Sequence, residues 1–294
     1  MIFEGSTYEY GTGIAQGGIV DTIYGDWYGF LFQDHDGLGR VPSILAVNWD
    51  YVDTKNNKYY PDWPMMGYYD DKGNFVNCLG TSQKVKNPLT IQLNKSDKES
   101  YIVGDDDFSY PDFKEGDSLK KVWQWNHNPD DANWSVTENP GYYRIKNGKV
   151  AGNIWFARNS LTQRTVGPNF TSETCVLTEN MKPGDYAGLA AISAHYGMVG
   201  VKCDENGNRY VFQGCNSDTN SGAKAKKEDK IKENAVSEEK IEGNAPVYLK
   251  IEYAFNTGKT RADKANFFYS LDGENWKSIG ETFSLGFDTA TTFM

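Results

Sequence analysis

The chain has 294 residues, with 30 glycines, 19 tyrosines, 15 phenylalanines and 8 tryptophans, and a formal net charge of −10. That length accommodates two domains of ordinary size. The acidic balance argues against a nucleic-acid partner, which needs clustered lysines and arginines, and no apolar run is long enough to span a membrane.

The N-terminal MIFEGSTYEYGTG has neither a basic segment nor an apolar one and does not read as a signal peptide. Gly17-Gly18 then opens an alternating strand, Ile19-Val20-Asp21-Thr22. A Gly25-Asp26 turn and a second strand from Trp27 to Gln33 complete a β-hairpin. A polar loop follows, Asp34-His35-Asp36-Gly37-Leu38-Gly39-Arg40. Ser43–Val52 reads as one further strand, and the proline-broken, aromatic Tyr59–Tyr69 as irregular chain or a sheet edge. A hairpin with one or two strands beside it does not bury its faces, so this block reads as the end of a larger structure. Residues 80–104, polar and poor in aromatics, read as a connector.

From Asp105 onward short strands are predicted at Trp123–Trp125, Trp134–Thr137, Tyr142–Lys146, Ile154–Ser160, Thr174–Thr178, Tyr186–His195, Gly197–Cys203, Tyr210–Gln213, Val247–Phe255, Asn266–Leu271 and Trp276–Ile279. Turn signals separate them: Asn147-Gly148, Asp204-Glu205-Asn206-Gly207 and Asp272-Gly273. Many short strands without helices between them predict an antiparallel β-sandwich. Ser217–Asn244 departs from this pattern. Six lysines and six acidic residues between Ala223 and Glu242 cancel, so the segment reads as a solvated insertion, transiently helical at most. Cys78, Cys175, Cys203 and Cys215 include no CxxC pair, which weakens a zinc reading; Cys175 and Cys203 lie in strand-like runs and are expected as small core residues.

Five stretches carry more than pattern: Gln124-Trp125-Asn126-His127-Asn128-Pro129-Asp130, Pro140-Gly141-Tyr142-Tyr143-Arg144, Ala157-Arg158-Asn159-Ser160-Leu161-Thr162-Gln163-Arg164-Thr165, Gly184-Asp185-Tyr186-Ala187-Gly188-Leu189 and Tyr269-Ser270-Leu271-Asp272-Gly273-Glu274-Asn275-Trp276. In this order they resemble the C-terminal concanavalin-like β-sandwich of family 43 glycoside hydrolases of the β-xylosidase and arabinofuranosidase type. The opening AQGGIVDT, GDWYGFLFQDH and GRVP resemble the last blade of the five-bladed propeller that precedes that sandwich. The resemblance implies an all-β chain: residues 1–100 as the last part of a propeller with its connector, and residues 101–294 as a sandwich truncated at its C-terminus and carrying the insertion 217–244.

The same resemblance implies inverting hydrolysis of xylosyl or arabinosyl linkages, in which one carboxylate activates water and a protonated one serves the leaving oxygen. In the family these acids lie in earlier blades, so no catalytic residue is assigned here and this stretch alone is expected to be inactive. Asp21 on a strand and Asp26 in a turn are read as solvated. Arg40 of GRVP matches the family arginine that approaches the sugar pocket, where a guanidinium fork fixes hydroxyls or a carboxylate. Asp34 and His35 flank that loop as further pocket residues, and Gln16 is a polar group at its floor. Many relatives carry a histidine just before Gln-Gly-Gly; Ala15 stands there, so no axial metal ligand is carried over. No cofactor is required. Asp105, Asp106 and Asp107 supply hard oxygens for a structural calcium joining the first and last strands of the sandwich, against the plainer reading of a solvated acidic turn; the closing partner would lie past Phe293. The expected partner is a xylo- or arabino-oligosaccharide. The alternative from another class is a non-catalytic carbohydrate-binding or bracing module, in which Trp125, His127 and Arg164 line a sugar-contact surface; the plainer reading puts Trp125 in the core and Arg164 behind a loop.

Overall fold

Glycine and β-branched residues set the first strands. Gln16 (φ 47°) and Gly17 (φ 156°) form a bulge between β1 (Ile14–Asp21) and β2 (Trp27–Asp34), where the pairing slips between Ala15 and Gly17. A side chain on Gly17 would meet the Phe30 carbonyl oxygen at 1.7 Å, whereas one on Gly18 would meet nothing within 4 Å. Only the first of the paired glycines is therefore imposed by packing.

The computed structural model describes residues 14–54, 56–77, 101–193, 195–216, 234–255, 262–285 and 292–293. The connector expected at residues 80–104 lies outside them up to residue 100, as do residues 217–233 of the charged insertion. The chain divides into two compact units with the boundary between Glu99 and Ser100.

In the first unit, β3 (Arg40–Asn48) follows the hairpin. The run expected to continue to Val52 breaks at Trp49-Asp50, where Asp50 takes a left-handed φ of 55° and its Oδ1 accepts the Asp62 amide at 2.7 Å. The chain resumes as β4 (Tyr51–Asp53), which pairs with β5 (Lys58–Tyr60) in a small ribbon. β6 (Met65–Tyr69) and β7 (Phe75–Asn77) then complete an antiparallel sheet in the order β1-β2-β3-β6-β7. The stretch read as irregular or an edge thus supplies an interior strand. Its prolines, Pro61 and Pro64, precede β6 and leave the ladder intact. Ile14, Leu31, Leu45, Val47 and Met66 share one face as a core cluster.

The second unit contains β8 (Gln124–Trp125), β9 (Trp134–Ser135), β10 (Arg144–Ile145), β11 (Leu161–Arg164), β12 (Asn169–Val176), β13 (Tyr186–Ile192), β14 (Tyr196–Cys203), β15 (Arg209–Asn216), β16 (Asn234–Ile241), β17 (Val247–Ala254), β18 (Lys264–Ser270), β19 (Lys277–Ser278), β20 (Phe283–Ser284) and β21 (Thr292–Phe293). A seven-stranded sheet runs β16-β15-β14-β13-β21-β11-β8, and a five-stranded sheet β12-β17-β18-β19 with β20 also on β18. The inner faces meet through Val199, Val201 and Val211 from one sheet and Leu249, Ile251 and Phe267 from the other, each at most 2% exposed. In β17 the burial alternates, with Val247, Leu249, Ile251 and Tyr253 inward. Each such side chain contributes about 1.5–3 kcal/mol relative to exposure. Cys203 is buried and Cys175 half-buried, both as free thiols.

Two expectations are corrected here. Ile154–Phe156 is a 3-10 turn, capped by the Asn153 side chain on the Trp155 amide, and not a strand. The insertion supplies a strand, β16, which extends the larger sheet at its edge and pairs with β15 over most of its length. Its Glu238, Glu239 and Lys240 suit an exposed edge, and Glu239 accepts the Tyr269 hydroxyl of the opposite sheet at 2.5 Å.

Replacing Gly17 by Ala is expected to lower stability by about 1–3 kcal/mol through backbone displacement, while Gly18→Ala stays within about 0.5 kcal/mol of the parent. Urea unfolding followed by tryptophan fluorescence distinguishes the two.

Candidate functional site

The sheet of the first unit brings its predicted site residues to one end, on two faces. Asp34 and Arg40 are cross-strand partners of β2 and β3, as are Phe32 and Pro42. Arg40 Nε lies 3.4 Å from Asp34 Oδ1, and its guanidinium sits 4.4 Å above the Phe32 ring. The Arg40 side chain remains 61% exposed. Exposed pairs of this kind contribute little to stability; their effect is to aim the guanidinium. Gln33 belongs to the other face, and the His35 imidazole joins it there through Nε2 donating to Gln33 Oε1 at 3.0 Å. Burial lowers the His35 pKa, against the opposing pull of Asp34 and Asp36, so the ring is neutral at pH 7. The connecting loop is closed by its own backbone: His35 N to Gly39 O at 2.7 Å, Leu38 N to His35 O at 3.0 Å. Gln16 stands exposed at the bulge beside Ala15, whose Cα partner is Phe32. The arrangement offers a positioned cation, an acid and a neutral imidazole, groups suited to holding hydroxyls. Asp34 is engaged with Arg40, and Asp36 sits in the turn at φ 45°.

The sandwich employs its signature residues structurally. The Asn126 amide donates to the carbonyls of Ile154, Trp155 and Ala157 at 3.2–3.4 Å. His127 Nε2 donates to the Trp155 carbonyl at 2.5 Å, and its ring stacks on Phe156. Asn159 Oδ1 accepts the Asp130 amide at 2.8 Å and its Nδ2 returns a bond to the Asp130 carbonyl. Gln163 exchanges two hydrogen bonds with the Gly104 backbone, Oε1 accepting from the amide at 3.0 Å and Nε2 donating to the carbonyl at 2.9 Å. Trp125 packs with Trp123, Trp134, Phe108, Phe113 and Tyr143 around Leu119, Val136 and Leu161. Trp125 is thus partly buried in this cluster, and His127 is engaged with Trp155.

The three consecutive aspartates are not gathered at one point. The Asp106 side chain is 0% exposed and accepts from Tyr110 Oη at 2.5 Å, Trp123 Nε1 at 2.8 Å and the Phe108 amide at 2.9 Å, with Lys120 Nζ at 3.2 Å. Burial pushes its carboxyl up, but these bonds outweigh it and hold the pKa below the ordinary range. Tyr110, desolvated and bonded to Asp106, is pushed up to about 12. Asp107 Oδ1 accepts the Ser109 amide. Among the described residues no group of three acidic, histidine or cysteine side chains is arranged to hold a metal ion. The hydrogen bonds to Asp106 come from up to 17 residues away, and no local sequence signal announced them.

Two antiparallel sheets packed face to face in the second unit, and a separate antiparallel sheet in the first, define an all-β protein with a concanavalin-like sandwich. The family model for the beta-xylosidase C-terminal concanavalin A-like domain, GH43_C2, matches residues 111–294, so the chain belongs to this glycoside hydrolase family. It is 26% identical to a beta-xylosidase of Formosa agariphila, over 89% of this chain and 40% of that protein, and 28% identical to a putative beta-xylosidase of Xylanibacter ruminicola, over 92% and 41%. Among solved structures it is similar to a bifunctional GH43-CE of Bacteroides eggerthii, with TM-score 0.71 and 32% identity, covering 99% of this chain and 32% of that one. The GH43 BlXynB protein of Bacillus licheniformis shares the fold at TM-score 0.63 and 20% identity, over 95% and 48%. The chain thus spans about 40% of the length of the curated relatives it matches.

Asp106→Ala is expected to lower stability by about 3 kcal/mol at pH 7, because it strands three donors and the Lys120 charge. The folded carboxyl titrates below its unfolded value of about 3.9, so its stabilisation is complete above that value and is lost as pH falls through the lower, folded one. Urea midpoints of parent and variant should converge as pH falls below the unfolded value and through the lower, folded one.

Proposed function

We propose that this chain is part of a family 43 glycoside hydrolase that acts on xylan or arabinoxylan side chains or on xylo-oligosaccharides, by single displacement with inversion. Its first unit is one blade of the catalytic propeller and contributes the sugar-positioning edge. The family match and the beta-xylosidase names of the relatives support the substrate class. The observation that carries the role of the first unit is Arg40, exposed but held between Asp34 and the Phe32 ring, in the manner of a group aimed at a ligand. No acid of this chain is assigned a catalytic role in this reading.

Two measurements test the reading. The purified 294-residue chain is expected to release no nitrophenol from aryl β-xyloside or aryl α-arabinofuranoside, and robust turnover would overturn the assignment of the carboxylates. In the parent enzyme, Arg40→Ala should raise KM by about tenfold or more, the equivalent of one charged hydrogen bond; an unchanged KM removes Arg40 from the pocket.

A further inference from the structure

The outer face of the seven-stranded sheet, turned away from the five-stranded one, carries a cation, Arg164, whose side chain is paired with no acid among the described residues. Cross-strand pairing places Arg164 in one row with Thr292, Ile192 and Tyr196, because Arg164 pairs with Thr292, Thr292 with Ile192 and Ile192 with Tyr196. Partners opposite one another in a ladder point to the same face. The opposite face is the inner one, since a side chain on Gly197 there would run into Phe267 and Phe283 of the other sheet. On the outer face, Ile192 and Tyr196 lie under Ile154 and Trp155, the turn that Asn126 and His127 hold down.

Arg164 is half-buried, and burial lowers its pKa without removing its charge at neutral pH. Among the described residues it has no hydrogen bond and no ion pair. A guanidinium brings five donors and no acceptor, and its withdrawal from water without a partner is strongly unfavourable. The turn beside this face repeats the imbalance. Asn153 is 8% exposed and its Nδ2 has no partner, and the buried Trp155 Nε1 has none either. Every unsatisfied group in this region is a donor.

We infer that this face holds an anion subsite centred on Arg164, and that its ligand is the carboxylate of a uronic acid carried by a xylo-oligosaccharide. The planar fork of arginine matches a carboxylate in two parallel bonds. A densely charged polyanion is disfavoured by the net charge of −10, whereas a neutral glycan with one acid per several sugars meets little repulsion. The xylan part of this inference rests on the function proposed above; the anion part rests on Arg164 alone.

Isothermal titration of the 294-residue chain with xylotetraose, and with xylotetraose bearing a single glucuronic acid, tests it. The acidic ligand is expected to bind about tenfold or more tightly, by one charge-assisted contact, and the advantage should shrink as sodium chloride is added. Arg164→Gln should erase the advantage and leave the neutral ligand's affinity unchanged. Trp155→Phe, which deletes one donor while keeping an aromatic ring, should reduce it, so the inference remains testable if the arginine variant fails to fold. Equal dissociation constants for the two ligands overturn the subsite while the proposed function stands. An advantage that survives in Arg164→Gln places the acid elsewhere and also overturns it. Failure of both ligands to bind overturns the inference together with the proposal that this chain contacts xylan.

Discussion

A segment that lies across a sheet without joining it must find partners for its own peptide groups, because buried carbonyls left without donors are strongly unfavourable. In this protein one asparagine meets that need. The Asn126 amide reaches three carbonyls of the 153–157 turn, and His127 adds a bond to one of them. With its backbone satisfied, the turn can press Ile154 and Trp155 onto Ala190, Ile192, Tyr196, Met198 and Phe212. The outer face of the larger sheet is thereby partly dried. The family signature around residues 124–130 and 157–165 is a bracket between two loops, with Asn159 and Asp130 as its second clasp.

Much of the fold was legible because the strands obey a period of two. Val247 to Tyr253 alternates in sequence and alternates in burial, and the hairpin of the opening block falls where Gly25-Asp26 turns the chain. The misreadings have local causes. Ile154-Trp155-Phe156 has strand composition, yet the Asn153 side chain captures the Trp155 amide and winds the chain into a turn. Residues 234–241 have the composition of a solvated loop because an edge strand needs no apolar face on either side. The run from Tyr59 to Tyr69 holds prolines, which suggested an edge, but both precede the strand that enters the sheet.

The candidate site was legible only as proximity. Asp34, His35 and Arg40 are neighbours in sequence, but the register decides that Asp34 and Arg40 share a face with Phe32 while His35 turns to Gln33. For Asp105, Asp106 and Asp107 composition suggested a hard-cation site, and tertiary partners gave the middle carboxylate another role. A triple aspartate and a fully bonded buried carboxylate look alike in sequence, because the phenol, indole and ammonium that distinguish them come from 4 to 17 residues downstream.

The strand at the rim of the larger sheet bears on how this protein behaves at high concentration. An unpaired row of amides and carbonyls is a template on which a second copy can add a strand of its own, the first step toward aggregation. Asn234–Ile241 occupies that rim with Glu238, Glu239 and Lys240 in succession and a bulge at Gln213/Gly214 in its pairing. Close-packed charge and a kinked ladder make the rim a poor template. The segment whose composition looks least like structure is the one that keeps the sheet from growing.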